Sequence, residues 1–226
     1  NYFDPYFTLD GISRGYNVFF RRLDYDARNI ARYSTDSAGG GVTFGFPIGE
    51  TQRINFGLNV EHTEIREGFA AAQEISEFIE RNGPDALNFK ANLSWIRSTL
   101  NRGVFADRGS SQSIGVTFAA PGSDLEFYRL TYQGEKYFPL TQLFTLKLRT
   151  ELGYGDSYGD TPALPFYEHF FAGGFGSIRG FENSTLGPRS TPPLDENGNP
   201  IIFSSFDNDG RYGQPFGGNL LLEFSA

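Results

Sequence analysis

Cysteine is absent from the chain, which rules out a disulfide framework, a thiolate metal site and a cysteine nucleophile. Histidine is almost as scarce: His62 and His169 are too few and too far apart to suggest a metal or catalytic centre. The net charge is −8 and no basic run occurs, so the footprint of a nucleic-acid binder is missing. No apolar run approaches the roughly 18 residues that a transmembrane helix needs. Residues 1–10 have neither the basic nor the apolar region of a signal peptide. Residues 220–226 stop within an apparent strand, so the chain is expected to be a fragment of a mature protein.

What is abundant is aromatic and small. The chain carries 24 Phe, 12 Tyr and 28 Gly among 226 residues, yet only 38% of it is hydrophobic. A water-soluble core would draw more heavily on Leu, Ile and Val. An outer-membrane barrel would not, because half of each strand faces lipid and half faces water.

The order of residues supports that class. Tyr16, Val18 and Phe20 alternate with Gly15, Asn17 and Arg21, and a polar connection is expected over 24–40. Val42, Phe44, Phe46 and Ile48 form one apolar face, followed by a short turn at 47–50. Ile54, Phe56, Leu58 and Val60 then alternate with Asn55, Gly57, Asn59 and Glu61. The same period of two recurs through Phe89, Leu93 and Trp95, with Lys90, Asn92 and Ser94 opposite. It continues in Ile114, Val116 and Phe118, and in Tyr128, Leu130 and Tyr132 against Arg129, Thr131 and Gln133. In the next strand Phe144, Leu146 and Leu148 face outward, while Lys147, Arg149 and Glu151 face a lumen wet enough to hold three charges. Connections are long after Leu23, Glu61 and Leu152 and short at Asp10-Gly11, 47–50 and 138–141, the barrel rule for external loops and periplasmic turns. The expected fold is therefore all-β: an antiparallel transmembrane β-barrel domain over 1–226, with about eight strands after an initial stub.

Over 64–81 the period changes. Phe69, Ala72, Ile75, Phe78 and Ile79 fall at three- and four-residue spacing, which predicts an amphipathic helix stopped by Asn82-Gly83-Pro84. It reads either as a cap across a barrel mouth or as a surface for a membrane or partner. Other signals are bland. Asp207-Asn208-Asp209-Gly210 lacks the glutamate of a calcium loop and reads as a turn, as does Asn197-Gly198. The glycines at 173, 174, 176 and 180 miss the dinucleotide-binding spacing. Nothing orders Ser, His and Asp into a triad, Asp24 and Asp26 lie in a loop, and no metal, cofactor or enzymatic activity is expected.

The stretch 166–188 differs from the rest, being crowded with aromatics and glycines around Ser177-Ile178-Arg179-Gly180-Phe181. Pro165-Phe166-Tyr167-Glu168-His169-Phe170-Phe171-Ala172-Gly173-Gly174, then Ile178-Arg179-Gly180-Phe181 and Leu186-Gly187-Pro188, closely resemble the barrel subunits of the bacterial outer-membrane β-barrel assembly machinery, the BamA-like proteins. Residues 1–8, Gly45-Phe46-Pro47-Ile48, Pro121-Gly122-Ser123-Asp124 and Gly217-Gly218-Asn219 also resemble that family, so the likeness runs the length of the chain. It implies a sixteen-stranded barrel of which this chain is the middle part, without the periplasmic domains or the terminal strands of the lateral seam. It also implies an outer-membrane insertase that folds nascent β-barrel clients alongside accessory lipoproteins, in contact with outer-membrane lipids. The arginine loop would fold back into the lumen. Strand parity turns Glu223 inward, because Leu220, Leu222 and Phe224 face out, and the resemblance pairs the loop arginine with a glutamate there. Both point to an Arg179–Glu223 ion pair, its planar fork suited to a carboxylate; the alternative is a surface arginine. Gly180 is expected to allow close backbone approach and Phe181 to wedge the loop against the wall.

Two further readings stay open. A two-partner secretion translocator shares the loop motif, and eight strands can also close into a small structural barrel. Closure would pair the strand near Tyr16 with the strand near Leu222. Open edges would instead favour edge-to-edge dimerisation.

Overall fold

The computed structural model describes residues 1–25, 32–68, 71–141, 143–195, 197–199, 201 and 213–226. Its frame is a nine-stranded antiparallel sheet in strict sequence order: β1 (Tyr2–Asp4), β2 (Ser13–Asp24), β3 (Tyr33–Gly49), β4 (Gln52–Glu67), β5 (Asp85–Ser98), β6 (Gly109–Ala119), β7 (Phe127–Pro139), β8 (Thr145–Ser157) and β9 (Leu220–Ser225). That is the expected eight strands after a stub. β1 pairs only with β2 and β9 only with β8, so the sheet is open among the described residues and the small self-closed barrel is overturned.

One face of the sheet is apolar and exposed. Val18 is 84% accessible, Phe20 72%, Leu222 63% and Phe224 70%, values no water-soluble sheet would leave on a contiguous surface. The opposite face carries Ser13, Thr35, Ser37, Glu61, Thr63, Asn88, Lys90 and Glu223, all buried. Polar groups inward and bulky apolar groups outward is the economy of a wall between lipid and a wet lumen. Among the described residues no helix is long and apolar enough to cross a membrane.

Four boundaries differ from the sequence reading. β3 begins at Tyr33 instead of Val42, because Ser, Thr, Asp, Ala and Gly fill 34–41 with no bulky alternation to read. Those residues nonetheless pair in unbroken register with β2 and β4. β4 runs on to Glu67 and β8 to Ser157, past the expected ends at Glu61 and Leu152. The helix α1 is correspondingly shorter, Gln73–Asn82, because 64–67 belong to β4. It ends where expected, with Gly83 at φ +83°. Phe69, Asp26 and the turn read at 207–210 lie outside the described residues.

The buried apolar core lies among the long connections. Tyr25, Tyr33, Ile65, Ala71, Ala72, Ile75 and Phe166 form one cluster, with Phe78 and Ile79 of α1 packed on it. Ala86, Ala119, Leu125, Phe127 and Leu164 form a second, and Phe78 touches both. So α1 packs on the connections and strand ends that hold the two clusters. Gln73 N and Nε2 donate to the carbonyls of Thr191 and Pro192 at 3.2 and 2.8 Å, and Glu74 accepts from the backbone and hydroxyl of Thr191.

Candidate functional site: a loop seated on the inner wall

The connection from β8 to β9 turns back over the lumen face of the sheet. Its descent begins where β8 has glycine at the two inward positions beneath it. A Cβ at Gly153 would stand 2.6 Å from the ring of Phe170, and one at Gly155 would stand 2.9 Å from Leu164. Absence of side chains here is what lets the loop lie close against the wall.

A 3₁₀ turn, Phe166–Glu168, fixes the upper part. Phe166 is 3% exposed, edge-on to Tyr33 at 4.6 Å and to Phe78 at 5.2 Å, and stacked with Phe216 at 6.0 Å between ring centres. Two residues on, Glu168 meets the wall. Its Oε1 accepts from Lys90 Nζ of β5 at 3.0 Å, and its Oε2 accepts from Arg129 Nη1 of β7 at 2.9 Å. Lys90 also donates to Glu61 of β4 at 3.0 Å, and Glu61 lies 3.5 Å from Arg21 of β2. Alternating charges thus run from β2 to β7 with the loop carboxylate as a link. Burial alone would raise the Glu168 pKa, but the two cations outweigh it and hold the carboxyl below its ordinary value. Burial pushes the Tyr167 phenol upward and the His169 imidazole downward. His169 donates from Nδ1 to the Phe216 carbonyl at 3.0 Å, the tautomer a carbonyl partner requires. Phe170 exchanges backbone hydrogen bonds with Gly218 at 2.8 and 3.0 Å, and the Arg129 guanidinium lies 4.5 Å from the Phe170 ring centre.

Below this the loop narrows to a tip. Ala172 and Leu186 form an antiparallel bridge, and Gly173 N donates to Ser177 Oγ at 3.1 Å. Glu223 does face inward, 5% exposed, as parity required. Its partner, however, is Ser177, whose hydroxyl donates to Oε2 at 2.5 Å, while Oε1 is buried with no hydrogen bond. Arg179 is not among the ion pairs of the described residues; its guanidinium sits 4.6 Å from the ring centre of Phe175. The wall reaches the tip elsewhere, through Arg149 Nη1 donating to the Gly176 carbonyl at 2.5 Å. The expected roles of Gly180 and Phe181 change. Nothing lies within 4 Å of a Cβ at Gly180, whose φ of +90° makes the requirement conformational. Phe181 is 53% exposed and Ile178 37%, so neither is wedged against the wall.

Alternation alone puts Lys90, Arg129 and Glu61 on the inward face, and Glu168 stands within the 165–174 motif. Their convergence was not legible, because no local pattern states which loop residue lies opposite which strand position. The three lumen charges of β8 and their neighbours are mutually satisfied: Lys147 pairs with Glu135 at 2.8 Å and Arg149 with Glu151 at 2.8 Å.

Comparison with known proteins shows that the Omp85 superfamily domain matches residues 1–226. The chain belongs to the Omp85 superfamily. Within it, the chain is 36% identical over 210 residues to the outer membrane protein assembly factor BamA of Neisseria meningitidis, covering 88% of this chain and 26% of that protein. It is 22% identical over 182 residues to BamA of Nitratidesulfovibrio vulgaris, covering 79% of this chain and 22% of that protein. Among solved structures it is similar to BamA from Haemophilus ducreyi lacking POTRA domains 1–3, with a TM-score of 0.78 at 30% identity, covering 83% of this chain and 38% of that one. The chain therefore spans about a quarter of the length of the curated Omp85 relatives it matches.

Proposed function

We propose that this Omp85 chain is the middle stretch of the barrel of an outer-membrane assembly factor, which folds and inserts β-barrel proteins in the bacterial outer membrane. The observation that carries this is the 36% identity to the Neisseria assembly factor over 88% of the chain. Its contribution is structural: β2–β8 supply a rigid wall, and the β8–β9 connection braces it from inside. Chemistry in such a factor is non-covalent, an exchange of strand pairing and lipid contact. Nascent barrel clients, accessory lipoproteins and outer-membrane lipids are the partners proposed. The secretion-translocator reading shares the loop motif but gains nothing from the named relatives.

The Arg179–Glu223 pair belongs to this reading as a working contact. Glu223 has one buried oxygen without a partner, and the loop already touches its other oxygen through Ser177, two residues from Arg179. In the complete barrel we propose that Arg179 turns from Phe175 onto that free oxygen. Reconstitution of the intact protein tests both statements. Accelerated folding of a client barrel supports the assembly factor, whereas passage of an unfolded exoprotein without such acceleration refutes it. Arg179→Ala and Glu223→Gln should each lower the rate, with the double variant no worse than the poorer single one; additive losses would remove the pair.

A further inference from the structure

The lipid-facing surface treats its charges differently at its two ends. At the long-loop end both outward arginines meet carboxylates, Arg22 to Asp36 at 2.6 Å and Arg66 to Asp36 and Glu64 at 3.1 Å each, while His62 lies 3.7 Å from Asp85 and Asp156 accepts from the Tyr154 hydroxyl. At the other end, where β3 leads to β4 and β7 to β8 through short connections, the outward positions near the strand ends hold Arg14 on β2, Arg97 on β5 and Lys136 on β7. None of the three has an ion-pair partner among the described residues. Asp4, opposite Arg14 in register, accepts instead from Tyr6 N.

Two of these cations stand over aromatic rings, and the third shares a strand face with one. The Arg14 guanidinium is 3.9 Å from the ring centre of Phe7 and 5.3 Å from that of Tyr16. The Lys136 ammonium is 4.7 Å from the ring centre of Phe138. Arg97 follows Trp95 by two residues on one strand, hence on one face; Trp95 donates its indole N–H to Gln52 at 3.2 Å. Aromatic rings paired with cations are the side chains that settle at the headgroup level of a bilayer. Tight turns mark the periplasmic end of an outer-membrane barrel. Unpaired cations at the rim of an apolar surface need anions, and at that depth the available anions are lipid phosphates.

We propose that Arg14, Arg97 and Lys136 form a rim that selects anionic phospholipid headgroups of the periplasmic leaflet. This rests on the outer-membrane barrel reading. Bound there, such lipids would hold the bilayer at a fixed height on the wall.

The intact protein carrying this domain is reconstituted in phosphatidylcholine vesicles with trace spin-labelled phosphatidylglycerol or phosphatidylcholine, and the fraction of probe immobilised at the protein surface is measured. Wild type should hold phosphatidylglycerol severalfold more strongly, with the preference shrinking as salt rises. R14Q/R97Q/K136Q should lose it, the preference at each cation's own position falling by about fivefold at low ionic strength. R14K/R97K should keep most of it. Equal retention of the two probes by wild type, or full preference in the triple variant, overturns the proposal. Should the triple variant not fold, the wild-type preference and its salt dependence decide alone. Failure of wild type to insert into the vesicles at all overturns the barrel reading, and this proposal with it.

Discussion

Glu168→Gln is the perturbation that most directly tests how the loop is held. The carboxylate bridges two cations, of which Lys90 has a side chain 9% exposed and Arg129 one 26% exposed. Orphaning a buried charge costs about 3–5 kcal/mol. Neither cation is fully orphaned here: Lys90 keeps Glu61 at 3.0 Å, and Arg129 keeps the Phe170 ring and some water. About 2 kcal/mol is therefore expected, which makes the released loop about thirtyfold more populated. Hydrogen exchange of peptides covering 164–172 should quicken by about that factor, while peptides from β4 and β5 should not change. The pH dependence gives an independent check. The folded-state pKa of Glu168 lies below the ordinary carboxylate value, so the seated loop binds fewer protons than the released one. The stabilisation is then fully present above the ordinary pKa and is lost as pH falls through the depressed one. Once intrinsic exchange rates are divided out, wild-type protection should fall on acidification through that window, and the glutamine variant should fall less. Unchanged protection in Glu168→Gln, or loss spread evenly over the sheet, would refute the clamp.

The remaining expectations concern the same seat. Gly153→Val places a side chain within 2.6 Å of where the Phe170 ring lies, so protection of 164–172 should drop, and Phe170→Leu should restore part of it. Phe166→Ala empties the contact between α1, β3 and the loop; about 3–5 kcal/mol of loop and helix protection should be lost, read by exchange in both α1 and 164–172. Glu74→Ala removes the acceptor of the Thr191 backbone and hydroxyl, an exposed contact, and should loosen α1 from the loop by only about 1 kcal/mol. A loss as large as that of Phe166→Ala would mean the polar contact, not the aromatic one, holds the cap.

How much of this could be read from residue order follows from which constraints are local. Alternation is local, so Val18, Phe20, Leu58 and Leu222 declared their face and the strand count came with them. Parity carried further: Glu223 is inward because its neighbours on both sides are outward, and it is 5% exposed. The stretch 34–41 hid its strand because a strand facing a wet lumen on one side needs no bulky residue there, and its outward Asp36 is masked by two arginines. The Arg179–Glu223 distance was beyond this kind of reading. Parity gives a direction and the resemblance a partner type, but neither fixes how deep the loop descends. Here the depth places Ser177, rather than Arg179, on the carboxylate.

The distribution of burial explains why the loop can be both distinctive and dependent. In a soluble domain the strands supply the core; here their large side chains face outward, and the buried apolar residues, Ile75, Leu125, Phe127, Leu164 and Phe166 among them, lie mostly on connections, on α1 or near strand ends. The lumen face has few apolar groups with which to grip anything, so whatever sits on it must be held by charge and by glycine-permitted proximity. Glu168 between Lys90 and Arg129 provides the first, and Gly153 beneath Phe170 the second. Such a grip is strong where water is excluded and weak where it is not. That accounts for a firmly seated upper loop and an exposed tip at Ile178 and Phe181 in one segment. The wall reaches the tip through Arg149 on the Gly176 carbonyl and Glu223 on the Ser177 hydroxyl, while Arg179 lies over Phe175 and makes none of the ion pairs among the described residues.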